Sequence, residues 1–358
     1  MPRRRVLDYR LIAATMVAAT LGVLLVASAS GPLARDYYRL PEWDFAWRQG
    51  IAVVLGVAAM LAATFAPLER LTSLRVAVPL LLLTWIALAA AYFQPEVANT
   101  HRWLRLPIGS VQPSAFAKVA LPLALAAWLA WCRRERLRPA VSFGVALAAV
   151  ALTVGLVLFE PDLGSAMLLA AAAVAILWLA EVPAKPLLAT GLVAASGFAA
   201  AVALAPYRLE RVKAFFGAGS FQVQQSLIAL GSGGLLGRGP GKSVQKLFFL
   251  PQPHSDFLFA IAGEELGFLG ATGIMLLLGV IVVAGLRAAR RAPTLAAALL
   301  AAGLTTTLAV QALLNLSVCL NLLPAKGLPL PLMSAGGSDV LLTMVAIGVL
   351  LNIGKEGA

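Results

Sequence analysis

Apolar residues run along this chain in blocks of about twenty, separated by short polar interruptions, from Leu11 almost to the C-terminus. A helix rises about 1.5 Å per residue, so each block is long enough to cross a bilayer core of roughly 30 Å. The pattern predicts ten such helices, near residues 11–30, 48–66, 74–93, 115–132, 140–159, 164–181, 186–205, 257–286, 295–321 and 338–354. The first block follows MPRRR and ends in ASAS, but its stretch from Leu11 to Ala29 exceeds the apolar core of a signal peptide, so it reads as an uncleaved anchor. The expected fold class is an all-α polytopic membrane protein of about ten transmembrane helices, with residues 1–358 forming a single transmembrane domain.

Composition excludes the soluble globular classes, since 61% of residues are hydrophobic and only 12% charged. Arginines then orient the helices. Arg3, Arg4, Arg5 and Arg10, then Arg133, Arg134, Arg136 and Arg138, then Arg287, Arg290 and Arg291 fall at every second turn, which places those turns and both termini in the cytoplasm. The net charge of +12 belongs mostly to that pattern and argues for no nucleic acid. Cys132 and Cys319 fall at opposite ends of their spans, so no disulfide joins them, and neither has catalytic company.

Two outer loops interrupt the short connections: residues 94–114, and the large loop 206–255 between spans seven and eight. The second carries Arg208, Arg211, Lys213, Arg238, Lys242 and Lys246 against Glu210, on the face where basic residues are scarce. Long loops cross regardless of charge; alternatively, this one handles an anionic partner such as a phosphate-bearing ligand or a lipid headgroup. The stretch SFQVQQSLIALGSGGLLG has the spacing of an interfacial or re-entrant amphipathic helix. Gly231, Gly233, Gly234, Gly237, Gly239 and Gly241 would let backbone amides approach an anion closely. GRGPGKS is not a nucleotide loop, because Leu236 stands where that motif needs its first glycine.

Charges at membrane depth each demand a partner or a task. They are Lys118 in span four, Glu160 and Asp162 around Pro161, and Asp256, Glu264 and Glu265 of span eight; Gln311 and Asn315, one turn apart, face one interior. Glu264 is expected about 12 Å deeper than Asp256. Ser255 or Asp256 can cap span eight, whereas an aspartate at a wet membrane mouth beside His254 and Lys246 can act as general base toward an alcohol. Glu264 and Glu265 read as buried structural acids. His101 and His254 are the only histidines, and no residues show metal-ligand spacing.

The blocks HRWLRLPIGSVQPSAFAK (101–118), EPDLGSA (160–166), FQVQQSLIALGSGGLLGRGPGKSVQKLFFLPQPHSDFLFAIAGEELGFLG (221–270) and GLPLPLMSAGGSDVL (327–341) resemble, in order and over nearly the whole chain, the signature blocks of the SEDS family of shape, elongation, division and sporulation proteins. The resemblance implies a peptidoglycan glycosyltransferase in the bacterial cytoplasmic membrane. Such an enzyme polymerises lipid II at the outer face, releases polyprenyl pyrophosphate, and works with a class B penicillin-binding protein as transpeptidase.

It further implies Asp256 as the essential carboxylate; Arg102, Lys118, His254 and Ser338 are expected around the substrate, and Arg238, Lys242 and Lys246 of the basic loop are expected to hold the donor pyrophosphate. Glu160, Asp162, Glu264 and Glu265 are then structural support. No cofactor is nominated; a divalent cation bridging the pyrophosphate stays open. The short termini incline toward the elongation type, RodA, over the division type, FtsW. The rivals from other classes are a lipid II flippase and a recruiting scaffold; the missing paired broken helices count against the flippase, and the unexplained buried acids against the scaffold. Two departures stand out: the family usually has QPSE and QPDLG where this chain has QPSA and EPDLG. With Ala115 replacing the acid three residues before Lys118, Glu160 is expected to supply that lysine's partner.

Overall fold

The computed structural model describes residues 7–95, 101–106, 109–183, 185–189, 191–192, 215, 220–324 and 327–356. The helices are α1 (Tyr9–Pro32), α2 (Asp44–Phe65), α3 (Leu74–Tyr92), α4 (Pro113–Arg134), α5 (Pro139–Phe159), α6 (Leu163–Leu179), α7 (Phe221–Ser232), α8 (Leu258–Arg291), α9 (Leu295–Cys319) and α10 (Gly337–Glu356). All of these except α6 and α7 are long and apolar enough to cross a membrane, and α6 is a shorter apolar helix. Nine of the expected spans therefore have their helix. Most of the span expected at 186–205 lies outside the described residues, with residues 186–189 and 191–192 helical, and Arg208, Glu210, Arg211 and Lys213 lie outside them too.

Local chemistry starts these helices. Asp8 caps α1, Asp162 caps α6, Ser220 caps α7 and Thr294 caps α9, each accepting from a free amide of the first turn. Proline opens α4 and α5, where its missing N–H costs nothing. Helix α9 is central, packed against α4, α6, α8 and α10, while α10 lies along α2 and α1 along α8. Outward faces stay apolar, with Val54, Leu83, Ile86 and Leu276 all exposed, as expected of helices whose solvent is lipid.

Helix α8 departs from the expected single span. Gly267 adopts φ +70°, a conformation that costs a residue with a Cβ, and it breaks the helix into Leu258–Leu266 and Phe268–Arg291. Residues 268–286 contain no charge, and nineteen residues rise about 28 Å, enough to span the bilayer core alone. Glu264 and Glu265 therefore belong to the short segment before the break, separate from the stretch long enough to span. Helix α1 agrees: from Arg10 to Ser28 is about 27 Å, and Ser28 donates to Glu265.

Candidate active site

The end of the bundle opposite the arginine-rich turns gathers the outer segments. Residues 254–256 run into α8 and are held through three successive backbone carbonyls. Ala335 N donates to His254 O at 2.9 Å, Ser334 Oγ to Ser255 O, and Asn315 Nδ2 to Asp256 O at 2.8 Å. The clamps are themselves fixed. Gln49 bonds Ser334 O and Gly336 N, and Asn315 also holds Leu328 O at 2.7 Å.

One turn earlier on α9, Gln311 holds Pro329 O at 3.0 Å, so the expected common face of Gln311 and Asn315 exists and pins residues 327–330. The backbone carrying Asp256 thus depends on three distant elements.

The N-cap position of α8 is Phe257, whose side chain makes no cap hydrogen bond, and Asp256 stands one residue before it. Asp256 is half-buried and lies against Gly327, where an added methyl group would stand 3.0 Å from Oδ2. His254 is buried, with its ring 4.8 Å from that of Phe45. Burial pushes its pKa down to about 4, so the ring is neutral at physiological pH and offers no cation to a phosphate.

Three expected substrate residues are occupied within the protein. Lys246 is buried, and its ammonium donates to Glu265 Oε1 at 3.0 Å, Ser28 Oγ at 2.9 Å and Gly241 O at 2.7 Å. All three donors are used, which removes Lys246 from the expected pyrophosphate set. Lys118 is also buried and pairs with Asp339 Oδ1 at 2.6 Å and Gln311 Oε1 at 3.0 Å, while Gln311 Nε2 donates to Asp339 Oδ2 at 2.9 Å. Ser338 Oγ accepts from Gln112 N at 3.1 Å. Arg238 and Lys242 remain exposed.

The glycine-rich loop does bring its amides to an anion, and the anion is the protein's own. Glu264 accepts from Val244 N at 3.1 Å, Gln245 N at 3.2 Å and Ser243 Oγ, with Arg238 Nε 3.6 Å away. Glu265 accepts from Gly241 N at 3.0 Å and Ser243 N at 3.3 Å, besides Ser28 and Lys246. The loop is wound onto α8 through these two buried carboxylates.

Glu160 does not partner Lys118. It is 1% exposed, and neither carboxylate oxygen has a hydrogen-bond partner among the described residues. It sits in the turn between α5 and α6. Burial, then repulsion by Asp162, pushes its pKa up to about 8, with Arg102 pulling the other way. Arg102 Nε is likewise buried without a hydrogen bond among those residues. Asp162, by contrast, accepts from Ser165 N, Ser165 Oγ, Ser114 Oγ and Gln112 Nε2. Asp339 was overlooked in the sequence, although a lone acid two residues into the last apolar block was the available signal.

The family model for the cell cycle proteins FtsW, RodA and SpoVE matches residues 9–357. The chain belongs to this family. It is 34% identical to stage V sporulation protein E of Bacillus subtilis, over 97% of each chain. It is 40% identical to the probable peptidoglycan glycosyltransferase FtsW of Halorhodospira halophila, over 98% of this chain and 91% of that one. Among solved structures it resembles a chain of a peptidoglycan synthase complex that coordinates polymerization and crosslinking, with TM-score 0.80, 26% identity and 98% of both chains covered. It also resembles the rod shape determining protein RodA of Thermus thermophilus, with TM-score 0.70 and 27% identity over 97% of this chain and 96% of that one. This SEDS protein is a multi-pass inner-membrane glycosyltransferase.

Proposed function

We propose that this SEDS protein polymerises lipid II into glycan strands at the outer face of the membrane, with Asp256 as general base. An acceptor sugar hydroxyl gives its proton to the Asp256 carboxylate as its oxygen attacks C1 of the lipid-linked donor, and the bond from C1 to the pyrophosphate oxygen breaks. The leaving polyprenyl pyrophosphate carries the developing charge. The apolar helix faces accommodate its tail. Among the described residues no three His, Cys, Asp or Glu side chains come together as a metal site. The observation that carries this reading is Asp256 itself, half-buried at the start of α8 and mounted on backbone held from α9 and from residues 334–335.

The cellular role is supported at two levels. Relatives named FtsW and SpoVE favour division or sporulation, and the RodA fold neighbour favours elongation, so the inclination toward elongation drawn from short termini gains no preference. The synthase-complex neighbour supports a penicillin-binding transpeptidase as partner, with the class B type as the specific proposal.

The test is polymer synthesis from lipid II in proteoliposomes, with the transpeptidase present. Asp256→Ala is expected to lose at least about 100-fold in rate while folding normally, the lower range for removing a general base. Near wild-type polymer from that variant ends the assignment, and lipid II crossing the bilayer without polymer selects a flippase instead.

A further inference from the structure

The lipid-facing surface of α8 does not stop at its break. Phe268 and Leu269, the first two residues of the membrane-crossing half, are 62% and 60% exposed. Their amides donate to Gly234 O at 2.8 Å and Leu235 O at 3.2 Å, so the loop runs alongside them at the same height. Leu235 and Leu236, next in the loop, are 69% and 78% exposed. Two adjacent leucines left this bare are unfavourable in water, and here they continue a surface whose neighbours already face acyl chains. Arg238 and Lys242 follow them, both exposed, with stems long enough to reach headgroup phosphates from the hydrocarbon edge.

We infer that residues 234–242 are a membrane seat: Leu235 and Leu236 insert into the acyl region of the adjacent leaflet, and Arg238 and Lys242 bind phospholipid phosphates. The occupant is phospholipid, because the patch is continuous with the lipid-facing helix at the depth where residues 268–286 set the bilayer edge, and because apolar side chains are followed by cations as in an interfacial segment. The seat is rigidly coupled to the site. Arg238 N donates to Glu264 O and Gly239 N to Glu265 O, both at 3.0 Å, while the two carboxylates bind residues 241–246. The helical segment bearing these acids, Leu258–Leu266, starts two residues after Asp256 and is about 13 Å long. The leaflet thereby sets the height at which Asp256 meets a lipid-linked sugar, a consequence that rests on the proposed function, whereas the insertion itself does not.

The experiment places an environment-sensitive fluorophore on Leu236→Cys, and separately on Leu235→Cys and Lys242→Cys, in phosphatidylglycerol-containing proteoliposomes. Both native cysteines are buried, and labelled wild type is the blank. A nitroxide high on the acyl chain should quench the probe at 236, or at 235 should the first variant fail to fold, at least twofold more than the probe at 242. Aqueous iodide should barely reach the leucine positions. A probe at 235 or 236 that iodide quenches and the lipid nitroxide does not overturns the seat, which is also the outcome expected if a protein partner, absent from these vesicles, were the true cover. Polymer synthesis by wild type on the same vesicles separates the two ideas: no polymer with quenching intact sinks the function and leaves the seat standing.

Discussion

Glu265 and Glu160 are equally hidden, at 2% and 1% exposure, yet the protein treats them in opposite ways. Glu265 receives a serine hydroxyl, two backbone amides and a lysine ammonium, and its neighbour Glu264 is supplied almost as fully. Glu160 receives no hydrogen bond among the described residues and has Asp162 two positions away. A buried carboxylate avoids the cost of desolvation either by collecting donors or by taking up a proton. The first solution ties a loop to a helix, while the second leaves a neutral acid that resembles the glutamine usual in the family. Buried acids in one chain therefore do not share a role merely because they share a depth.

The largest expected effect comes from Glu265→Gln, which strips the charge facing Lys246 and leaves that lysine buried without its counter-ion. Breaking such a pair costs about 3–5 kcal/mol. Thermal unfolding in detergent should show the loss, and limited proteolysis should open the loop at residues 233–246. A variant as stable as wild type would erase the contrast with Glu160.

A smaller loss, about 2–3 kcal/mol, is expected for Asp339→Asn, because Gln311 still reaches Lys118. Adding Ala115→Glu should recover part of it, since residues 115 and 118 lie on one face of α4. Recovery of the same variant by an acid substituted elsewhere, but not by Ala115→Glu, would contradict this placement of the charge.

At acid pH the smallest effect belongs to Glu160→Gln, and its signature is in the pH dependence. The folded state keeps the Glu160 proton up to about 8, whereas the unfolded chain releases it near 4.5, the ordinary glutamate value. The folded state thus binds more protons between those values, so stability is highest below 4.5, falls as pH rises, and levels off above about 8. Glu160→Gln should match wild type at acid pH and flatten that decline. Wild-type and variant unfolding midpoints that fall in parallel from pH 5 to pH 8 would show that Glu160 has partners after all.

Much of the site was legible in the sequence. Asp256 at the mouth of an apolar block, the shared face of Gln311 and Asn315, and the helix Phe221–Ser232 all needed only spacing and composition. The break before the spanning part of α8 was not legible, because an apolar count from 257 to 286 hides the kink at Gly267. Lys246 and the glycine amides were assigned to a substrate anion because sequence shows that amides are available, not which carboxylate has already claimed them.

The chain's own order determined the membrane class, nine of the helices and the family to which the chain belongs. A transmembrane helix satisfies its backbone within one segment, so twenty apolar residues announce it without reference to anything else. Tertiary structure alone decided the partners. Lys118 meets Asp339 across 221 positions and Ser28 meets Glu265 across 237, and no local rule connects them. Which buried charge finds a counter-ion depends on which helix faces pack together, and packing is a property of the whole bundle.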